Sequence, residues 1–129
     1  MWPFDLARHQ RLGAALSTAR AHPPTVDRAS AAAWVAEQLA APVDQDVLTV
    51  IWTSITEQHW PATETEAVDE AVADARGRIG LARISMEGIP PLQAEGGYDI
   101  ARHGPRLRVD GDVIARSHHH GLPIILTTR

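Results

Sequence analysis

The chain contains no cysteine. Disulfides, thiolate zinc sites and cysteine nucleophiles are therefore excluded. It contains no lysine either, since all 12 basic residues are arginine. No lysine Schiff base and no lysine ligand for a phosphate can form. Aromatic residues make up only 5%. No apolar run approaches the ~20 residues of a membrane-spanning helix, so no membrane association is expected. The opening stretch MWPFDLARHQ lacks the apolar core of a signal peptide, and a cytoplasmic location is expected. A block of one charge sign is also missing. The net charge is −4, with acidic residues spread along the chain. A nucleic-acid partner would call for a basic stripe and is not expected.

What is present is an ordinary globular composition, 44% hydrophobic and 22% charged over 129 residues. That is enough for one small domain with a core, and residues 1–129 read as a single domain. The chain is organised around Asp46 to Trp60, DVLTVIWTSITEQHW. Val47 to Ile51 is a nearly continuous β-branched and apolar run, the pattern of a strand buried on both faces. This central strand is expected over about Val47 to Thr53. Trp52, Ser54, Glu57 and Gln58 crowd its carboxyl end, which is where ligands sit in open α/β sheets.

Two helices are expected before it. Asp5 can cap the first, which runs to about Ala21 with Leu12, Ala15, Leu16 and Ala19 on one face. Asp27 can cap the second, which runs to about Ala41 with Ala31, Trp34, Val35 and Leu39 on its buried side. After Pro61, Thr63-Glu64-Thr65-Glu66 reads as a capping box. The helix that follows, to about Arg76, turns Ala67, Val68, Ala71, Val72 and Ala75 inward. Gly77 is expected to end it in the left-handed conformation. A second strand spans Ile79 to Met86. Strand, helix and strand make a βαβ unit, so the two strands should be parallel. Glu87 then closes the second strand on the same sheet edge as Trp52 to Glu57. Pro90 to Gly97 reads as a loop. Leu107 to Ala115 reads as a hairpin about Asp110-Gly111, a type I′ signal. Leu122 to Thr127 is expected as a last strand.

Several residue sets invite chemistry. Trp52, Ser54, Glu57, Gln58 and Glu87 are the candidate ligand-binding residues. Glu57 and Glu87 could form a carboxylate pair for acid–base work, although a glutamate at a strand end is more commonly solvated or paired with an arginine such as Arg83 or Arg116. Ser54, Glu57 and His59 are the residue types of a hydrolase triad, but no G-x-S-x-G elbow surrounds Ser54; bonding the turn or capping a helical turn is its commoner role. In an extended segment His118 and His120 project to one face and His119 to the other. Two such histidines could ligate a metal if His103, His59 or Glu87 completed the set, but a hydrogen-bonded or solvated strand end is the more ordinary role. Gly96-Gly97 has no strand before it and no helix after it, so it is not a dinucleotide fingerprint.

The order of motifs is itself informative: Trp2-Pro3, Arg8, Arg11-Leu12 and Ala15, then ARAHPPTVDRASAAAWVAEQL, VIWTSITEQHW, LARISMEG and ARSHHHG. Together these resemble the C-terminal part of the uncharacterised bacterial domain-of-unknown-function family 2332, across nearly the whole chain. Members of that family are much longer. Their upstream half carries a stretch similar to E-x-G-A-S-x-G-L-N, the glycine-rich loop of class I S-adenosylmethionine-dependent methyltransferases. The resemblance implies an α/β fold equivalent to the C-terminal half of a Rossmann-like, methyltransferase-like sheet. Its parts would be a parallel βαβ unit followed by an antiparallel β hairpin.

This chain departs from the family by lacking the glycine-rich loop and by carrying Thr53 where relatives commonly have His after the Trp. No cofactor is therefore implied for it, and no catalytic residue carries over. Half a sheet leaves a strand edge uncovered. A non-catalytic or partner-dependent module is expected, completed by self-association as a homodimer or by a partner chain. Trp2, Phe4, Trp34, Trp52 and Trp60 are the candidate interface aromatics. The alternatives are a small-molecule-binding enzyme using the strand ends and a metal-binding protein using the histidine cluster.

Overall fold

The computed structural model describes residues 5–44, 46–88, 98–119 and 121–127. Trp2, Phe4, His120 and the Pro90 to Gly97 loop with its glycine pair lie outside the described residues. The architecture is α/β. Its five-stranded mixed sheet has spatial order β1-β2-β3-β4-β5.

The first helix, α1 (Leu6–Ala21), starts where the sequence places it. The Asp5 carboxylate accepts the Arg8 N–H at 2.9 Å. Its expected buried face is not buried, however. No α1 residue is buried, and Leu12 and Leu16 stand exposed. Helical periodicity shows that a face could be buried, not that a surface exists to cover it. Half of the stripe, Ala15 and Ala19, is alanine methyls, which offer little area to hold a helix down.

In α2 (Ala31–Ala40) the cap is Ser30, whose hydroxyl accepts the Ala33 N–H at 3.2 Å, and not Asp27. Asp27 instead accepts the indole N–H of Trp34 at 2.7 Å. A buried indole needs a partner for that N–H. Asp27 supplies one at the surface, so Trp34 is exposed while Val35 and Leu39 are buried.

β1 (Leu48–Ser54) and β2 (Gly80–Glu87) are parallel, Leu48 opposite Gly80 and Ser54 opposite Met86. Between them runs α3 (Ala62–Arg76). The capping box does not form. The helix begins one residue before Thr63, and no side chain caps it. Glu64 reaches across to α2 instead, where its carboxylate accepts the Ala32 N–H at 2.8 Å. A carboxylate at a neighbour's N-terminus meets both an orphan donor and the positive end of that helix dipole. Gly77 is right-handed at φ −75° and not left-handed. The chain keeps winding there, with the Arg78 and Ile79 N–H groups both donating to the Ala75 carbonyl.

Val35, Leu39, Val68, Val72 and Ala75 form the buried core between α2 and α3, with Ile51, Trp60, Ile79 and Leu81 packed against it. Full burial of one such valine or leucine is worth about 1.5–3 kcal/mol. The helices thus cover one face of β1 and β2. β1 is an edge strand, and the expectation of burial on both faces fails. Leu48, Val50 and Trp52 are 62%, 48% and 54% exposed, while the alternate residues Thr49, Ile51 and Thr53 are half-buried. An apolar run becomes doubly buried only where a layer covers each face.

Past β2 lies a short helix that the sequence did not announce, α4 (Ile100–His103). β3 (Arg106–Val109), β4 (Asp112–His118) and β5 (Gly121–Leu126) then follow as an antiparallel meander. The hairpin turn is as expected. Asp110 and Gly111 have φ +51° and +95°, and a type I′ turn requires both positive.

Candidate functional site

The carboxyl ends of β1 and β2 are tied together by a short strained turn. The parallel ladder extends one residue, with the Ile55 N–H donating to the Met86 carbonyl at 2.9 Å. Ile55 itself sits at φ +51°, a conformation that costs a β-branched residue about 1–2 kcal/mol. The next residue is held from two sides. Its hydroxyl donates to the Ser54 carbonyl at 2.8 Å, and its N–H points at the Glu87 carboxylate, 3.1 and 3.0 Å from the two oxygens. A single 3₁₀ turn, Glu57–His59, follows.

The two glutamates therefore have separate tasks. Glu87 is only 7% exposed and binds the Thr56 backbone. The expectation of a solvated or arginine-paired strand end is overturned, because a buried carboxylate needs a donor and the turn presents one. Glu57 accepts the Thr53 hydroxyl and an Arg83 N–H, both at 2.8 Å. Arg83 also pairs with Asp69 of α3. Desolvation pulls the Arg83 pKa down, but the hydrogen bonds and charges of Glu57 and Asp69 outweigh it, and the net shift is upward. This network fastens the strand ends to α3.

The other candidates divide. Trp52 alternates with Thr53 along β1, so it faces away from Glu57 and stands exposed. Gln58 turns its amide nitrogen to His59 Nε2 at 3.1 Å. Its buried Oε1 has no hydrogen-bond partner among the described residues. Ser54 contributes its carbonyl to the turn. Among the described residues no hydrogen bond joins Ser54 to His59 or His59 to Glu57, so the triad is not assembled.

Of the candidate ligand-binding residues, Glu87 lines a cleft, together with His103 and Arg116. About 400 Å³ in volume, it is lined by Glu87, Gly88, Arg102, His103, Gly104, Arg106 and Arg116. The sheet register builds it. Glu87 lies opposite Arg106, and Arg106 opposite Arg116, in one row across three strands. A β-bulge between Leu107 and Arg108 makes that row. Without it, the turn pairing of Val109 with Asp112 would set Ala115 opposite Arg106 and send Arg116 to the other face. Arg116 donates to the Gly104 carbonyl at 2.9 Å. Gly104 is packed so closely that a methyl group there would collide with the carbonyl oxygens of Ser117 and Ile100. Sequence reasoning missed this arginine row. Its only advance signal was the arginines flanking the Asp110-Gly111 turn.

The histidines gather around an aromatic ring. Tyr98 lies with its ring centroid 6.1, 5.8 and 5.5 Å from those of His103, His118 and His119. Desolvation there raises the Tyr98 pKa. Among the described residues no three histidines or carboxylates come together as a metal site. Nor is any described helix long and apolar enough to cross a membrane.

A family model described as an uncharacterized protein conserved in bacteria (DUF2332) matches residues 1–125. No curated protein and no solved structure matches the chain.

Proposed function

We propose a function from one premise: the chain belongs to the bacterial family DUF2332. It is a non-catalytic, partner-dependent module that supplies the later half of a Rossmann-like, methyltransferase-like sheet and takes no cofactor alone. The observation that carries this is the open edge of β1. A parallel strand normally lies inside a covered sheet. Here it ends the sheet, with one row of backbone N–H and C=O groups facing outward and Leu48, Val50 and Trp52 exposed beside it. Such an edge is a template for another strand. The segment Leu48–Ser54 bears no charge, so a second copy can approach without like-charge repulsion despite the net −4. A homodimer through β1 is the expected assembly, and a partner chain carrying the missing half is the other outcome.

Light scattering on the size-excluded, untagged protein tests this. A dimer that Val50→Lys converts to monomer supports the assembly. A monomer at every concentration, unfolding cooperatively, overturns it. A monomer that captures a chain carrying the upstream half would move the role from homodimer to heteromeric partner. The isolated chain is also expected not to bind S-adenosylmethionine in calorimetry.

A second reading is favoured by the cleft beside Glu87. It places a small-molecule site at the carboxyl ends of the parallel strands, with Ser54, Glu57 and Gln58 shaping the turn that holds Glu87.

A further inference from the structure

We propose that the cleft at the end of β2 binds a small dianionic oxyanion, a phosphate monoester or a dicarboxylate, through Arg102, Arg106 and Arg116. The proposal rests on the second reading, a small-molecule site at the strand ends, and names its ligand class.

Three guanidiniums and one carboxylate line the cleft, a formal charge of +2 with His103 neutral. Elsewhere Arg76 is paired with Asp110 and Arg83 with Glu57 and Asp69, while Arg108 of β3 has no ion pair among the described residues. Among the described residues Arg102, Arg106 and Arg116 have no such ion pair. The acid beside them is occupied with the Thr56 N–H. The three cations outnumber the one carboxylate, and a bound dianion offsets the repulsion that remains. Guanidinium is also the group whose planar fork matches carboxylate and phosphate oxygens.

The site is partly preorganised. The bulge sets Arg106 and Arg116 side by side, and the Gly104 carbonyl holds the Arg116 fork. Gly104, which admits no side chain, is fixed by Ser117 and Ile100. The volume of about 400 Å³ lies in the range of small-molecule sites. It exceeds what a bare inorganic anion fills, so an organic ligand carrying the charge is the natural occupant. Glu87 retains free lone pairs beyond its bond to Thr56. They suit a hydroxyl or amine on that ligand and oppose a second anionic group placed against it.

The test is calorimetric titration of the whole chain with inorganic phosphate and, separately, with succinate, at constant ionic strength. Saturable one-to-one binding of either anion is expected. Arg102→Gln and Arg106→Gln each remove an exposed side chain and leave the circular dichroism unchanged, and each should weaken binding at least tenfold. Glu87→Gln keeps an acceptor for Thr56 while deleting the negative charge, and it should tighten inorganic phosphate severalfold. Affinity should fall as salt is raised. No saturable binding of either anion overturns the proposal, and so does binding indifferent to both arginine substitutions. If neither anion binds but a neutral or cationic compound does, and Glu87→Ala abolishes that, the oxyanion assignment fails while the strand-end reading survives. If compounds of no charge class bind, both fail.

Discussion

The two halves of the sheet are built on different physics. β1 and β2 lie under α2 and α3, and the buried hydrophobic cluster of Val35, Leu39, Val68, Val72 and Ala75 sits there. The meander β3 to β5 has Ala115 as its buried apolar residue among those described. Its other most enclosed groups are Ser117 and Pro105. Its last strand shows Leu122, Ile124, Ile125 and Leu126 to solvent. One half is held by apolar burial. The other is held by ladder hydrogen bonds and close backbone packing, and it carries the arginine-lined cleft. Stability and the candidate ligand site are thereby separated along the chain, so the site's charges can change without opening the core.

That contrast can be tested by substitution, and the largest effect belongs to the helix-covered half. Val68 is 1% exposed. Val68→Asp buries an unpaired charge and should cost more than about 4 kcal/mol, enough to abolish cooperative urea unfolding followed by circular dichroism. In the meander the comparable weak point is backbone, not side chain. Gly104→Ala should cost about 2–3 kcal/mol through overpacking, read as a drop in melting temperature. A loss as large as that of Val68→Asp would break the comparison by showing a second core.

Smaller still is the network joining the strand ends to α3. Arg83→Met leaves the Glu57 carboxylate, 19% exposed, without its cation, and should cost about 1–2 kcal/mol in denaturant melts. The pH sign follows from the raised Arg83 pKa. A raised group contributes fully below its unfolded value and loses that contribution only as pH rises through its folded value. Both values lie above the working range, so the difference between wild type and Arg83→Met should be flat from about pH 6 to about pH 10. The smallest effect is expected at the strained turn. Ile55→Gly relieves the positive φ while losing a half-buried side chain, and stability should stay within about 1 kcal/mol of wild type. At Ile51, where no strain is relieved, the same change should cost about 3 kcal/mol.

Much of the fold was legible in the residues because its determinants are local. Apolar spacing marked α2 and α3, and the inward set Val68, Val72 and Ala75 is buried as expected. The strand–helix–strand order implied the parallel pair, and Asp110-Gly111 fixed the hairpin. The candidate site was legible only in part. Glu87 was named, but its bond to the Thr56 backbone depends on a turn in a conformation isoleucine rarely adopts. Trp52 was named beside Glu57, and alternation put them apart. Trp34 was assigned to the core, and a single carboxylate seven residues away drew it to the surface.

The sequence by itself determined the elements other than α4, the parallel direction of the first pair and the turn of the hairpin. These follow from periodicity, chain connectivity and the φ preferences of glycine and aspartate, all of which act over a few residues. Only the tertiary structure decided that β1 is an edge, that α1 lies uncovered and that Arg106 and Arg116 share one face with Glu87. Each of these depends on which distant surface is present, or on one extra residue in a ladder. A one-residue shift reverses every side chain beyond it, and no local pattern records it.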